Sequence, residues 1–177
     1  MLILIGYRAT GKTTLARMLG ARLQMRVVDT DPLIAQKAGR TIAEIFAESG
    51  ETAFRDEESQ IIAELLQERQ PLVIATGGGL PVRPANRALL KRAGKVVWLK
   101  ASPETILRRM TGDPATERLR PQLTRLPPLA EIKHVLNERT PFYREIADWE
   151  VDTDSTPLPE LADRIALWFQ VAPGHTF

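Results

Sequence analysis

Residues 6–13 read G-Y-R-A-T-G-K-T, and the residue types define what such a segment can do. Gly6 and Gly11 let the backbone turn its N–H groups inward around an anion, and a helix opening at the same point adds its positive end. In this pattern Lys12 reaches the outer phosphates of a nucleoside triphosphate, and the Thr13 hydroxyl is an oxygen ligand for Mg²⁺. The chemistry needs a strand before the loop and a helix after it. Leu2 to Ile5 reads as the strand, and Thr13 to Leu23 has the period of the helix. A chance glycine-rich turn would not need both flanks. Ala9 stands where many such loops carry another glycine.

A second group follows at Val28-Asp29-Thr30-Asp31-Pro32. Two carboxylates two residues apart in an extended segment point the same way, and the carboxyl ends of parallel strands are where open α/β sheets bind ligands. One carboxylate can hold Mg²⁺, directly or through water, and the other can accept a proton from a hydroxyl. For Asp31 a second reading stands equal, because an aspartate before Pro32 is a good helix N-cap. Asp29 has no such structural role in this reading.

Two arginines fall on otherwise apolar helix stripes. Arg55 accompanies Glu58 and Ile62 at spacings of three and four, and Arg139 follows Ile132, Val135 and Leu136 on a helix expected to end near Thr140-Pro141. A snorkelling surface arginine is the plain reading of either one. The recurrence suggests an anionic ligand between the helices, a carboxylate by preference. Gly77-Gly78-Gly79, directly after the strand Leu72 to Ala75, offers bare backbone at the sheet edge, although a flexible turn would look the same. Residues 108–125 hold Arg108, Arg109, Arg118, Arg120 and Arg125 and no lysine. An arginine carried on a closing loop is a common device of phosphoryl transfer, and Arg120 before Pro121 is the best placed. Arg108 and Arg109 end a helix, where a nucleotide contact and a favourable dipole interaction are equal readings.

The elements that must hold these groups alternate. Further strands are expected at Val27 to Val28, Val96 to Leu99 and Trp149 to Val151. Further helices are expected at Thr41 to Ala47, Thr52 to Gln67, Pro84 to Arg92, Pro103 to Met110, Leu129 to Arg139 and Leu158 to Phe169. This is the pattern of an α/β fold with a parallel sheet covered on both faces. The 111–128 stretch has four prolines and no clean period, which marks it as a lid or binding loop. The expected organisation is one domain over 1–170, a substrate-binding region over about 31–62, the 111–128 lid, and a flexible tail at 171–177.

Composition narrows the function classes. The 177 residues carry 24 Lys plus Arg against 22 Asp plus Glu, a net charge of +2, too small to argue for nucleic acid or a membrane surface. Cysteine is absent, which removes thiolate metal sites and thiol nucleophiles. Arg outnumbers Lys 18 to 6, a bias that genome composition alone can produce. No apolar run reaches membrane length, so the chain is expected in the cytoplasm.

Taken together, G-Y-R-A-T-G-K-T at 6–13, V-D-T-D at 28–31, F-R at 54–55, A-T-G-G-G at 75–79, R-P at 120–121 and E-R-T-P-F-Y-R-E at 138–145 resemble shikimate kinases, in the family's order and over nearly the whole chain. The first element is generic; its combination with the others is specific. The resemblance implies a three-layer P-loop NTPase fold with a five-stranded parallel sheet flanked by helices and a mobile lid. It implies transfer of a phosphoryl group from ATP, with Mg²⁺, to the 3-hydroxyl of shikimate in aromatic amino-acid biosynthesis. A monomer is expected, because no long exposed apolar patch is evident in the sequence. By the same resemblance, Asp31 binds ring hydroxyls and is the candidate base. Arg55 and Arg139 clamp the carboxylate, and Gly77, Gly78 and Gly79 contact the hydroxyls. Gly6, Ala9, Thr10, Gly11, Lys12, Thr13 and Thr14 cradle the phosphates, Lys12 and Arg120 stabilise the transferring group, and Arg109 lies against adenine. Thr13, with Asp29 through water, holds the metal. Some relatives carry an arginine in the 152–157 loop, where this chain has Asp154-Ser155-Thr156, and Arg8 is a variable position with no role assigned.

Three alternatives fit less well. A gluconate kinase is not expected to carry both F-R and G-G-G. A GTP-binding switch needs N-K-x-D and D-x-x-G segments, and neither occurs. A nucleic-acid motor lacks its stacking platform at 6% aromatic residues.

Overall fold

The computed structural model describes residues 1–112 and 126–171. The 113–125 part of the expected lid, with Arg118, Arg120 and Arg125, and residues 172–177 of the expected tail lie outside the described residues.

Five strands, β1 (Leu2–Ile5), β2 (Arg26–Asp29), β3 (Leu72–Ala75), β4 (Lys95–Lys100) and β5 (Trp149–Asp152), pair in parallel in the order β2-β3-β1-β4-β5. The helices are α1 (Lys12–Leu23), α2 (Thr30–Ala38), α3 (Ile42–Leu65), α4 (Pro84–Ala93), α5 (Pro103–Thr111), α6 (Pro128–Ile146) and α7 (Leu158–Val171), with a 3₁₀ turn at Leu80–Val82. The expected α/β class holds. Its cause is visible in β1, whose four residues are all buried and alternate between two cores. Ile3 and Ile5 face α3, α4 and α6, while Leu2 and Leu4 face α1 and α7. Burying each such side chain contributes about 2 kcal/mol.

Four features differ from the sequence expectation. First, the helix that one reading of Asp31-Pro32 allowed is present as α2, but its N-cap is Asp29, not Asp31. The Asp29 carboxylate accepts the Asp31 backbone N–H at 3.2 Å, leaving Asp31 in the first turn. The two carboxylates therefore do not share an extended segment. Second, the helices expected at 41–47 and 52–67 are both present within α3 but meet at a kink at Gly50, whose φ of 78° is not helical, with no loop between them. A capping box between Thr41 and Glu44 fixes the start of α3, a contribution of about 1 kcal/mol. Third, α6 does not end near Pro141 but runs through it to Ile146. Pro141 forfeits one helical hydrogen bond, and burial of Tyr143 and Ile146 in the core carries the helix past it. Fourth, Val171 is the last residue of α7 and not part of a tail.

Candidate active site

The carboxyl edge of the sheet collects the site. β1 runs into the 6–13 loop, β2 into Asp29 and Asp31, and β3 into Gly77, Gly78 and Gly79. The position of β1 between β3 and β4 puts the loop at the point where the strand order reverses, the place such sheets bind ligands.

In the loop, Gly6 and Gly11 take φ of 140° and 93°. Ala9 takes 60°, a left-handed conformation that costs an alanine about 1 kcal/mol. The Thr10 hydroxyl donates to the Tyr7 carbonyl at 2.8 Å and braces the turn. Lys12, only 7% exposed, donates to the carbonyls of Gly6 and Tyr7 at 2.9 and 2.7 Å. Thr13 and Thr14 open α1 and are exposed. The Thr13 hydroxyl donates to Asp29 Oδ2 at 2.5 Å. Two hard oxygens in contact at a helix start suit Mg²⁺, which keeps much of its shell from water and phosphate. Asp29 thus caps α2 through one oxygen and meets Thr13 through the other.

Lys12, Thr13, Asp29, Asp31 and Thr76 line a groove along this loop, and beside it lies a small, partly open cavity. Asp31, Arg55, Arg139 and the three glycines line it, together with Tyr7, Arg8, Ile42, Phe46, Phe54 and Glu58. Arg55 is 8% exposed; it donates to Glu58 Oε2 at 2.6 Å and to Glu51 at 2.7 Å. Burial works against its charge, but Glu58 and Glu51 outweigh that and hold it still more firmly protonated. Glu58 is fully buried, and burial pushes its carboxyl up against the pull of Arg55 and Arg139. Its Oε1 has no protein partner. Arg55 is therefore no snorkelling surface residue.

Gly77 and Gly79 lie against these side chains, and Gly78 lies against the backbone of the 6–13 loop. A Cβ on Gly77 would stand 2.6 Å from Glu58 Oε1 and 2.7 Å from Asp31 Oδ1, and one on Gly79 would lie 2.5 Å from Arg55 Cζ. The Gly78 carbonyl accepts the Tyr143 hydroxyl at 2.5 Å, and burial pushes that phenol up to about 12. Tyr143 lies one turn beyond Arg139 on α6.

Arg109 meets the outer side of the loop. It donates to the Thr153 carbonyl at 2.6 Å, the Thr153 hydroxyl at 3.0 Å and the Ala9 carbonyl at 3.3 Å. Asp154 accepts the Ser102 backbone N–H at 2.8 Å; burial works slightly against its charge, and the Ser102 bonds hold it below the usual carboxylate range. The 152–157 loop is thus fixed to the start of α5. Glu58, Tyr7 and Tyr143 were not singled out from sequence. Glu58 sits three residues after Arg55, and that spacing was the available signal.

The chain matches the shikimate kinase family model over residues 8–170. The chain belongs to the shikimate kinase family. A shikimate kinase of Synechococcus sp. is 44% identical over 163 residues, 92% of this chain and 83% of that protein. One of Rhodopirellula baltica is 40% identical over 164 residues, 93% of this chain and 87% of that protein. The solved structure of the shikimate kinase from Acinetobacter baumannii in complex with shikimate superposes with a TM-score of 0.88 at 34% identity, covering 99% of this chain and 94% of that one. A kinase of this family uses a nucleotide, for which the loop after β1 is the expected seat. No helix among the described residues is long and apolar enough to cross a membrane.

Proposed function

We propose that the chain, acting as a single kinase domain over residues 1–170, transfers the γ-phosphoryl group of ATP to the 3-hydroxyl of shikimate. One observation carries the atomic reading: Asp31 lines both the phosphate groove and the cavity that holds two arginines. A small polyol acid seated there puts its carboxylate between Arg55 and Arg139 and a hydroxyl at Asp31.

In this reading the hydroxyl oxygen attacks the γ-phosphorus, the bond to the β-phosphate oxygen breaks, and the hydroxyl proton passes to the Asp31 carboxylate. The products are shikimate 3-phosphate and ADP. Lys12 leaves the carbonyls of Gly6 and Tyr7 for the phosphate oxygens, and Arg120, outside the described residues, adds its charge to the transferring group. Thr13 and Asp29 would hold Mg²⁺, which offsets phosphate charge when bound. The backbone N–H groups of the 6–13 loop hold the phosphates, and Arg109 walls the nucleoside side. Such an enzyme works as a cytoplasmic monomer and serves aromatic amino-acid biosynthesis.

The test is ADP release measured by a coupled assay with shikimate, gluconate and quinate as separate acceptors. Shikimate-dependent release with little or none from the others is expected. Release with gluconate alone, or with none of the three, overturns the reading.

A further inference from the structure

We infer that Arg8 binds the phosphoryl group on its acceptor side, and so discriminates the phosphorylated product and the transferring group from the unreacted hydroxy acid. The inference rests on the function proposed above. Among the described residues, three line both the phosphate groove and the acceptor cavity: Arg8, Asp31 and Ile42. The passage between donor and acceptor is therefore bordered by one cation, one anion and one apolar side chain. Asp31 is accounted for by the hydroxyl. Lys12 lines only the groove, and Arg55 and Arg139 line only the cavity. The phosphoryl group has to cross this passage, and Arg8 is the described cation on its border.

The side chain is built to stay there. It is 10% exposed, and its Nη2 donates to Glu131 Oε1 of α6 at 2.7 Å, a carboxylate itself 1% exposed. A planar guanidinium gripped along one edge keeps its other edge fixed in direction. Nε, on the edge it shares with Nη2, is enclosed and makes no hydrogen bond to the protein, and the Tyr7 hydroxyl, which also lines the acceptor cavity, is enclosed beside the Arg8 side chain. Burying donors in this way is costly unless something accepts from them. A phosphoryl oxygen supplies that acceptor; a neutral hydroxyl supplies a weaker one.

Arg8→Met keeps the aliphatic stem and removes the donors. Calorimetric titrations with shikimate and with shikimate 3-phosphate, together with kcat and both KM values, make the test. Product affinity is expected to fall about tenfold or more, with a comparable fall in kcat, while the KM values for shikimate and ATP stay within about twofold. Arg8→Lys is expected to recover part of the product affinity. If Arg8→Met strands Glu131 and fails to fold, the pair Arg8→Met with Glu131→Gln removes the stranded carboxylate and gives the same readouts. Equal losses for shikimate and its phosphate, or no loss of either, overturn the inference while wild-type turnover of shikimate keeps the function intact. Absence of turnover in the wild type overturns both.

Discussion

Arg55 and Glu58, one turn apart on α3, form an ion pair of 2.6 Å with both side chains withdrawn from solvent. The pair holds the guanidinium against Gly79 and leaves one Glu58 oxygen unpartnered next to Gly77. Removing one member of such a pair strands the other. Glu58→Ala is expected to lose about 3 kcal/mol in urea denaturation. Because burial raises the Glu58 pKa above its ordinary 4.5, the folded state holds that proton more tightly than the unfolded chain. The contribution of Glu58 is therefore full below pH 4.5 and falls as the pH rises through the raised value. The stability of the wild type relative to Glu58→Gln should decline with rising pH across that window. A difference that grows with pH contradicts the assignment.

Gly79→Ala separates binding from folding. The new methyl would lie 2.5 Å from Arg55 Cζ, the far end of a flexible side chain, so the chain can fold by shifting it. The guanidinium is tied to Glu51 and Glu58, and a shift displaces one arm of the carboxylate clamp. The KM for shikimate should rise tenfold or more, roughly one lost charge-assisted hydrogen bond, with the KM for ATP unchanged. Parallel increases in both would show that the methyl disturbs the loop after β1 instead.

Asp29 combines the α2 cap and the bond to Thr13 in one carboxylate, and the proposed function gives the second oxygen to Mg²⁺. Asp29→Asn retains an oxygen able to cap and loses the charge. Its melting temperature should stay close to that of the wild type, while the Mg²⁺ concentration needed for half-maximal turnover rises several-fold. Asp29→Ala should show the same metal effect plus about 1 kcal/mol of lost stability. An unchanged Mg²⁺ requirement in both variants would leave Asp29 as a cap alone.

Ala9 pays for its left-handed backbone. Ala9→Gly removes that strain at some cost in unfolded-chain entropy, and a net gain of about 0.5 kcal/mol is expected. Thermal unfolding should shift upward by a few degrees at most. A lower midpoint would mean that the Ala9 methyl makes packing contacts worth more than the strain.

The site was legible in the sequence where neighbours in the chain are neighbours in space. The 6–13 loop is one such unit, and its strand and helix are written directly beside it. Arg55 and Arg139 could be picked out because each interrupts an apolar stripe. Asp29 and Asp31 were misread because the proline rule points at the residue before Pro32, whereas the cap is the residue whose oxygen reaches the Asp31 N–H. Pro141 was misread because a local penalty lost to the burial of Tyr143 and Ile146. The surroundings of Gly77 and Gly79 were out of reach, since they depend on side chains that α2 and α3 bring from 19 to 46 residues away in sequence.

The glycine turn touches Arg55 on α3 and Tyr143 on α6, the helix that carries Arg139. Gly79 lies under Arg55, and the Gly78 carbonyl is fastened to Tyr143, one turn from Arg139. In the proposed function, backbone there acts as a caliper between two arginines carried by different helices. The size of acid that fits is then gauged by main-chain length. Lengthening or shortening that turn is then expected to retune the acceptor, as is any side chain added to it that pushes Arg55 aside.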